Sequence, residues 1–226
     1  MTSAPRPALQ LDALHFAYPQ QPPVFAGWSA DVPAGVTLLH GDTGSGKSTL
    51  LRLLAGELQG RGTATLDGRV LAGHAEARPA QLCWFDPRDD AWDALTPEAL
   101  RDALAARHGP VDTAAWAQHA AGFGLSPHLA KPLYALSTGS RRKAGLAVAL
   151  SLQCPLVLID DATAGLDAGS IAHLVEALGA IGAAQERGDA APAVAAPRVV
   201  LVASSHGLEA VPHAHALVLP GPQAAR

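Results

Sequence analysis

The stretch HGDTGSGKSTLLRLLAGEL, residues 40–58, decides the fold. It fits G-x-x-x-x-G-K-[ST] with Gly41, Gly46, Lys47 and Ser48, and it stands between the apolar run VTLLH (36–40) and a segment with helical spacing from about Lys47. That context gives the pattern its meaning. Glycines let main-chain N–H groups turn inward toward phosphate oxygens, and the helix that follows presents its positive end to them. Lys47 adds a full charge near the terminal phosphates, and Ser48 supplies a hydroxyl for Mg²⁺. The chain has three lysines against thirteen arginines, so one placed here suits a need for a compact ammonium.

Working outward, β-patterns precede the loop at LQLDALHF (9–16) and follow it at TATLDGRVL (63–71), where Asp67-Gly68 marks a hairpin, and at AQLCWF (80–85). From Thr96 to Leu152 the pattern turns helical, with PEALRDALAARH, TAAWAQHAAGF and SRRKAGLAVALSL broken by Gly109-Pro110 and Pro127. Strand patterns return at LVLID (156–160), RVVLVAS (198–204) and ALVL (216–219). The helices therefore interrupt a strand-rich core. The Ala/Pro-rich segment AAQERGDAAPAVAAPR (183–198) has neither period and reads as an exposed loop.

Composition narrows the function. Half the residues are hydrophobic and the formal net charge is −4, with no basic run longer than Arg141-Arg142-Lys143. This describes a folded α/β protein and argues against a nucleic-acid partner. Cys83 and Cys154 stand alone among apolar residues and read as core thiols of a reducing compartment. No secretory leader and no run of eighteen apolar residues is present, so a cytosolic chain that does not itself span a membrane is expected.

The remaining motifs choose among nucleotide-binding families. YALSTGSRRKAGLAVALSLQCPLVLIDDATAGLD (134–167) resembles the stretch in ATP-binding cassette (ABC) ATPases that joins the L-S-G-G-Q signature to the Walker B strand and the L-D beyond it. VVLVASSH (199–206) resembles that family's switch-histidine strand, and LDALHFAYPQQPPVFAGWSADVPAGVTLLHGDTG (11–44) its N-terminal sheet with an adenine platform. The resemblance covers nearly the whole chain in the right order. It implies an α/β P-loop NTPase: a RecA-like core with an N-terminal antiparallel β-subdomain, about residues 1–86 and 151–226, and an inserted helical subdomain at about 87–150.

Carried over by position, Tyr18 stacks on adenine, with Phe16 as competitor, since stacking needs only a flat π face. Gly41, Asp42, Thr43, Gly44, Ser45, Gly46, Lys47, Ser48 and Thr49 cradle the triphosphate of ATP. Ser48 and Asp160 hold Mg²⁺, Asp160 lying at the carboxyl end of an apolar strand. Asp161 stands where the family has a glutamate that polarises the attacking water. Aspartate is one methylene shorter, and a displacement of about 1 Å in a catalytic group can cost on the order of a hundredfold in rate. Two readings stay open: the backbone compensates, or turnover is slow.

Ser137 and Gly139 keep the signature's hydroxyl and close-approach backbone, while Thr138 and Ser140 depart from S-G-G-Q; the segment also reads as an ordinary helix N-cap. Asp167 reads both as a junction between two nucleotide sites and as an N-cap. His206 is implied as the γ-phosphate sensor. Asp86 is the nearest equivalent of the metal-contacting glutamine that relays nucleotide state, with Gln81 at the strand's start facing elsewhere. Trp84, Trp92 and Trp116 read as packing residues, and His213 and His215 as solvated turn histidines.

In this family the signature of one subunit closes over ATP held by another. The resemblance therefore implies a homodimer or a heterodimer with a second ABC ATPase, attached to the inner face of a membrane through a separate transmembrane permease. Rival readings are a soluble cassette that remodels ribosomes or DNA, an ATP-gated regulatory module with slow turnover, and a small-molecule kinase. The first of these calls for tandem cassettes or long insertions, and the kinase has no use for residues 136–140.

Overall fold

The computed structural model describes residues 8–71, 82–84, 90–188, 198–204, 206–208 and 210–221. In chain order the elements are β1 (Leu9–Ala17), β2 (Pro23–Val32), β3 (Gly35–His40), α1 (Lys47–Leu54), β4 (Arg61–Leu66), β5 (Arg69–Val70) and β6 (Leu82–Trp84). There follow α2 (Pro97–His108), α3 (Thr113–Gly122), α4 (Thr138–Ser151), β7 (Leu156–Ile159), α5 (Ala168–Arg187), β8 (Val199–Ala203) and β9 (Ala214–Val218).

Two sheets share the work. The first is antiparallel, in the order β2-β1-β4-β5. Its β4–β5 hairpin turns on Asp67 and Gly68, which have φ of 48° and 75°. Two central residues with positive φ make the type I′ turn whose twist matches paired strands, and aspartate followed by glycine tolerates it best. The second sheet is wholly parallel, in the order β6-β7-β8-β3-β9. Its inner strands β7 and β8 are buried at every position, as a sheet covered on both faces requires.

What covers the two faces explains where the site lies. On one side, Leu50, Leu51 and Leu54 of α1 pack with Leu9, Leu11 and Phe25 of the antiparallel sheet onto Leu39, Leu158 and Leu201. On the other, α4 and α5 supply Ala147, Val148, Leu174 and Leu178 against Val36, Val157 and Val200. Each fully buried leucine contributes roughly 1.5–3 kcal/mol relative to exposure, so α1 is fixed by its apolar stripe even though it is short. Because β8 lies between β3 and β7, their carboxyl ends deliver the loop after β3, the acids after β7 and the segment after β8 to one edge of the sheet.

The helical stretch keeps close to its sequence reading. Thr96 caps α2 by accepting from the N–H of Ala99, and Asp112 caps α3 by accepting from Ala114 and Ala115. One expectation is corrected. Residues 183–187 are helical, because α5 continues to Arg187 and ends at Gly188 in the left-handed conformation, φ 74°. Residues 189–197 of that segment lie outside the described residues. Both cysteines are buried, and burial pushes the Cys154 thiol up to about 11, so it stays protonated. Among the described residues no helix is long and apolar enough to cross a membrane.

Candidate nucleotide site

The loop after β3 ends in a glycine that no other residue type could replace without movement. Gly46 has φ of 101°, and a Cβ there would lie 2.6 Å from Val24 Cγ1. Gly41, φ 147°, is as crowded, since its Cβ would meet Ser45 Oγ at 2.4 Å. This tight path delivers the chain to α1 without a capping side chain. The other four α-helices each begin with one, from Thr96, Asp112, Ser137 and Asp167. An uncapped first turn, with no acid in it, keeps its N–H groups and its positive end available to an external anion. Lys47 reinforces that polarity. Its Nζ lies over the loop, donating to the carbonyls of Gly41 at 2.5 Å and Asp42 at 3.1 Å.

A cleft of about 550 Å³ opens in front of this helix end. Tyr18, Thr43, Gly44, Gly46, Lys47, Ser48, Thr49, Asp160 and Asp161 line it, so most of the residues singled out in the sequence meet here. Tyr18 holds its ring at the cleft by a 3.2 Å hydrogen bond between its hydroxyl and Thr49 Oγ1. Phe16 packs edge-on against Tyr18 at 4.9 Å but lines a separate surface hollow with His15 and Arg61. In the same cleft, Ser48 Oγ donates to Asp160 Oδ1 at 2.9 Å. A hydroxyl and a carboxylate meeting at a loop built for phosphate are a hard-oxygen donor set, which fits Mg²⁺. Asp161 is exposed beside them with φ of 48°, a left-handed conformation that aspartate tolerates better than most residues.

Other expected residues stand apart. Gly41, Asp42 and Ser45 belong to the same loop without lining the cleft, Gly41 and Asp42 exposed and Ser45 buried. Ser137 caps α4, its Oγ accepting from the N–H of Ser140 at 3.1 Å, and neither it nor Gly139 lines the cleft of its own chain. Gly139 instead abuts Gly165, whose carbonyl would lie 2.5 Å from an added Cβ. Asp167 caps α5 and accepts from Lys143 Nζ at 2.5 Å; this ammonium, with the N–H and hydroxyl of Ser170, holds its carboxyl well below the usual carboxylate range. His206 lines a smaller cavity with His40, Gly41 and Ser204, its carbonyl accepting from Thr163 Oγ1 at 2.9 Å and Ser204 Oγ at 2.7 Å. Asp86 and Gln81 lie outside the described residues.

Several cleft residues carry no signal in the sequence, among them Trp84 and Arg142. Trp84 is a packing residue, as expected, but it also lines the cleft, with its indole N–H on Glu57 Oε1 at 2.7 Å. Arg142 reaches the cleft from α4. His213 pairs with Glu186 at 2.7 Å while His215 is exposed on β9, and no group of three or more potential metal ligands occurs among the described residues.

A parallel sheet, a glycine-rich loop opening an uncapped helix and an acid at the carboxyl end of the strand one place removed define a P-loop NTPase. The chain belongs to the ABC transporter family, whose model matches residues 27–164. Among similar proteins, the cytochrome c biogenesis ATP-binding export protein CcmA of Paramagnetospirillum magneticum is 37% identical over 164 residues, covering 69% of this chain and 74% of its own. CcmA of Aromatoleum aromaticum is 35% identical over 159 residues, with the same coverage of both. A solved ATP-binding subunit of an ABC transporter shares the fold, with a TM-score of 0.67 at 22% identity over 88% of this chain and 80% of that one.

Proposed function

We propose that this chain is the ATP-binding and hydrolysing subunit of an ABC transporter, driving a separate transmembrane permease through ATP-dependent closure of two cassettes. One observation carries the reading: the single uncapped α-helix among the described residues opens onto a cleft that also holds Lys47 and the Ser48–Asp160 pair. In this reading the loop from Gly41 to Thr49 binds the triphosphate, Lys47 neutralises its terminal charge and Tyr18 stacks on adenine. Ser48, Asp160 and Asp86 hold Mg²⁺, which when bound supplies charge neutralisation on the phosphates. Asp161 orients the attacking water and His206 senses the γ-phosphate across the strand-end network with Thr163 and Ser204.

Dimer closure is supported by what the cleft omits. Ser137 and Gly139 sit at a helix start outside their own cleft, which supports a role over nucleotide held by a second, identical or related, copy. ATP then acts as glue, and loss of the γ-phosphate removes the group both halves share. The core of residues 1–86 and 151–226 carries the nucleotide, and the helical subdomain at 87–150 couples it to the permease at the cytoplasmic face. The export role named for the CcmA relatives supports transport.

The second reading is an ATP-gated regulatory module with slow turnover, not a transporter. It is favoured by the short acid at Asp161. A steady-state ATPase assay of the full chain, with and without its permease, separates the two. Turnover raised by the permease supports the transporter; tight ATP binding with no turnover in either condition overturns it in favour of the module.

A further inference from the structure

The basic trio after the signature turn divides its labour. Arg141 ion-pairs with Asp93, and Lys143 with Asp167. Arg142, between them, is different. Its Nη1 donates to two main-chain carbonyls, those of Asp160 at 3.2 Å and Asp161 at 2.7 Å. Its Nε is buried without a hydrogen-bond partner among the described residues, so the guanidinium is committed to that one edge.

Those two carbonyls are not arbitrary. They belong to the peptide planes on either side of the Asp161 Cα, and together they fix the backbone angles that aim its side chain. The Asp161 carbonyl also accepts from the N–H of Ala164 at 3.0 Å, and the next N–H, of Ala162, donates to Ala203 at 2.9 Å. With φ of 48°, Asp161 occupies a conformation that a non-glycine residue keeps only when its surroundings over-determine it.

We propose that Arg142 is a positioning residue: it reaches from α4 to clamp both peptide planes around Asp161 and so sets where the short carboxylate stands in the cleft. This rests on the functional reading of Asp161 as the group that orients water. It also supplies a physical link within one chain, since α4 begins at the signature turn. Movement of that helix would shift the carboxylate through a single guanidinium.

The test is Arg142→Met, which keeps an apolar stem and removes the donors, with Arg142→Gln as a second variant should the first lower the melting temperature strongly. The expected result is kcat lowered about ten- to a hundredfold, with ATP affinity within about twofold of the parent. Arg142→Lys is expected to stay low, because the lysine side chain ends one bond short of the Nη1 position that meets both carbonyls. In an Asp161→Asn background, Arg142→Met is expected to change the residual rate less than twofold, since no base remains to be placed. Three results would each overturn the proposal: a rise in KM at unchanged kcat, which makes Arg142 a nucleotide contact; full rescue by lysine, which removes the need for Nη1 at that position; or the same loss in the Asp161→Asn background, which uncouples Arg142 from Asp161. Absence of turnover in the parent protein, with and without permease, is a separate result that sinks the functional reading instead.

Discussion

Two helices of this chain start from turns rich in glycine and serine, and they start in opposite ways. The first turn of α1 has Gly46 at its cap position and no side chain on its amides, whereas α4 closes its own first turn with Ser137. Local stability favours the second arrangement by roughly a few tenths of a kcal/mol, the difference between a glycine and a serine cap. The first makes sense only if something outside the chain completes the helix, and a phosphate placed beside Lys47 does so. The difference teaches that α1 leaves its first turn open to a ligand, while α4 closes its own.

The contrast breaks first at Lys47. Lys47→Ala removes charge-assisted bonds worth about 1.5–3 kcal/mol each, so ATP affinity should fall about a hundredfold or more with the melting temperature little changed. A fluorescent-nucleotide titration beside a thermal melt checks both. Gly46→Ala should act on the fold as well, since the new Cβ meets Val24 and the backbone stays at φ 101°. A loss of about 1–3 kcal/mol in denaturant unfolding is expected, together with weaker binding.

Ser137→Ala sharpens the comparison from the other side. It should cost about 1 kcal/mol of stability, range 0.5–2, through the lost cap, and leave ATP affinity of the isolated chain unaltered. Denaturant curves and the same titration measure the pair of effects. A fall in affinity comparable with that of Lys47→Ala would erase the distinction between the two helix starts.

The smallest effect belongs to the seam between α3 and α5, away from both turns. His119 Nδ1 lies 3.2 Å from His173 Nε2, and burial, then His173 and Arg198, push its pKa down to about 4. The unfolded chain takes up that proton near the ordinary value of about 6.5. Stability from this group is therefore present above pH 6.5 and is lost as pH falls from there toward 4. The melting temperature should drop between pH 7 and 5, and His119→Gln should flatten that slope.

Much of this was legible in residues that act on their neighbours in sequence. Helix α2 matches its pattern end to end because Thr96, Pro97 and Gly109 punctuate it, and Asp67-Gly68 specified its turn through backbone preference alone. The phosphate loop was readable because loop and helix are contiguous. The end of α5 was missed because alanines and prolines beyond it masked the stop at Arg187 and Gly188, itself an ordinary C-terminal signal. Arg142 was illegible for a different reason: its partners are carbonyls 18 and 19 residues away, and a carbonyl has no letter in the sequence. The turn at residues 136–140 stands outward of its own chain's cleft, a direction set by packing that the family resemblance, not the local residues, anticipated.

That outward direction is the central claim's most exposed point, and mass measurement by light scattering reaches it directly. The full chain carrying Asp161→Asn, a change expected to block hydrolysis, should double in mass with saturating ATP and Mg²⁺ and return to a single copy when Ser137→Ala or Lys47→Ala is added. A mass that stays at one copy while nucleotide is bound would contradict the account.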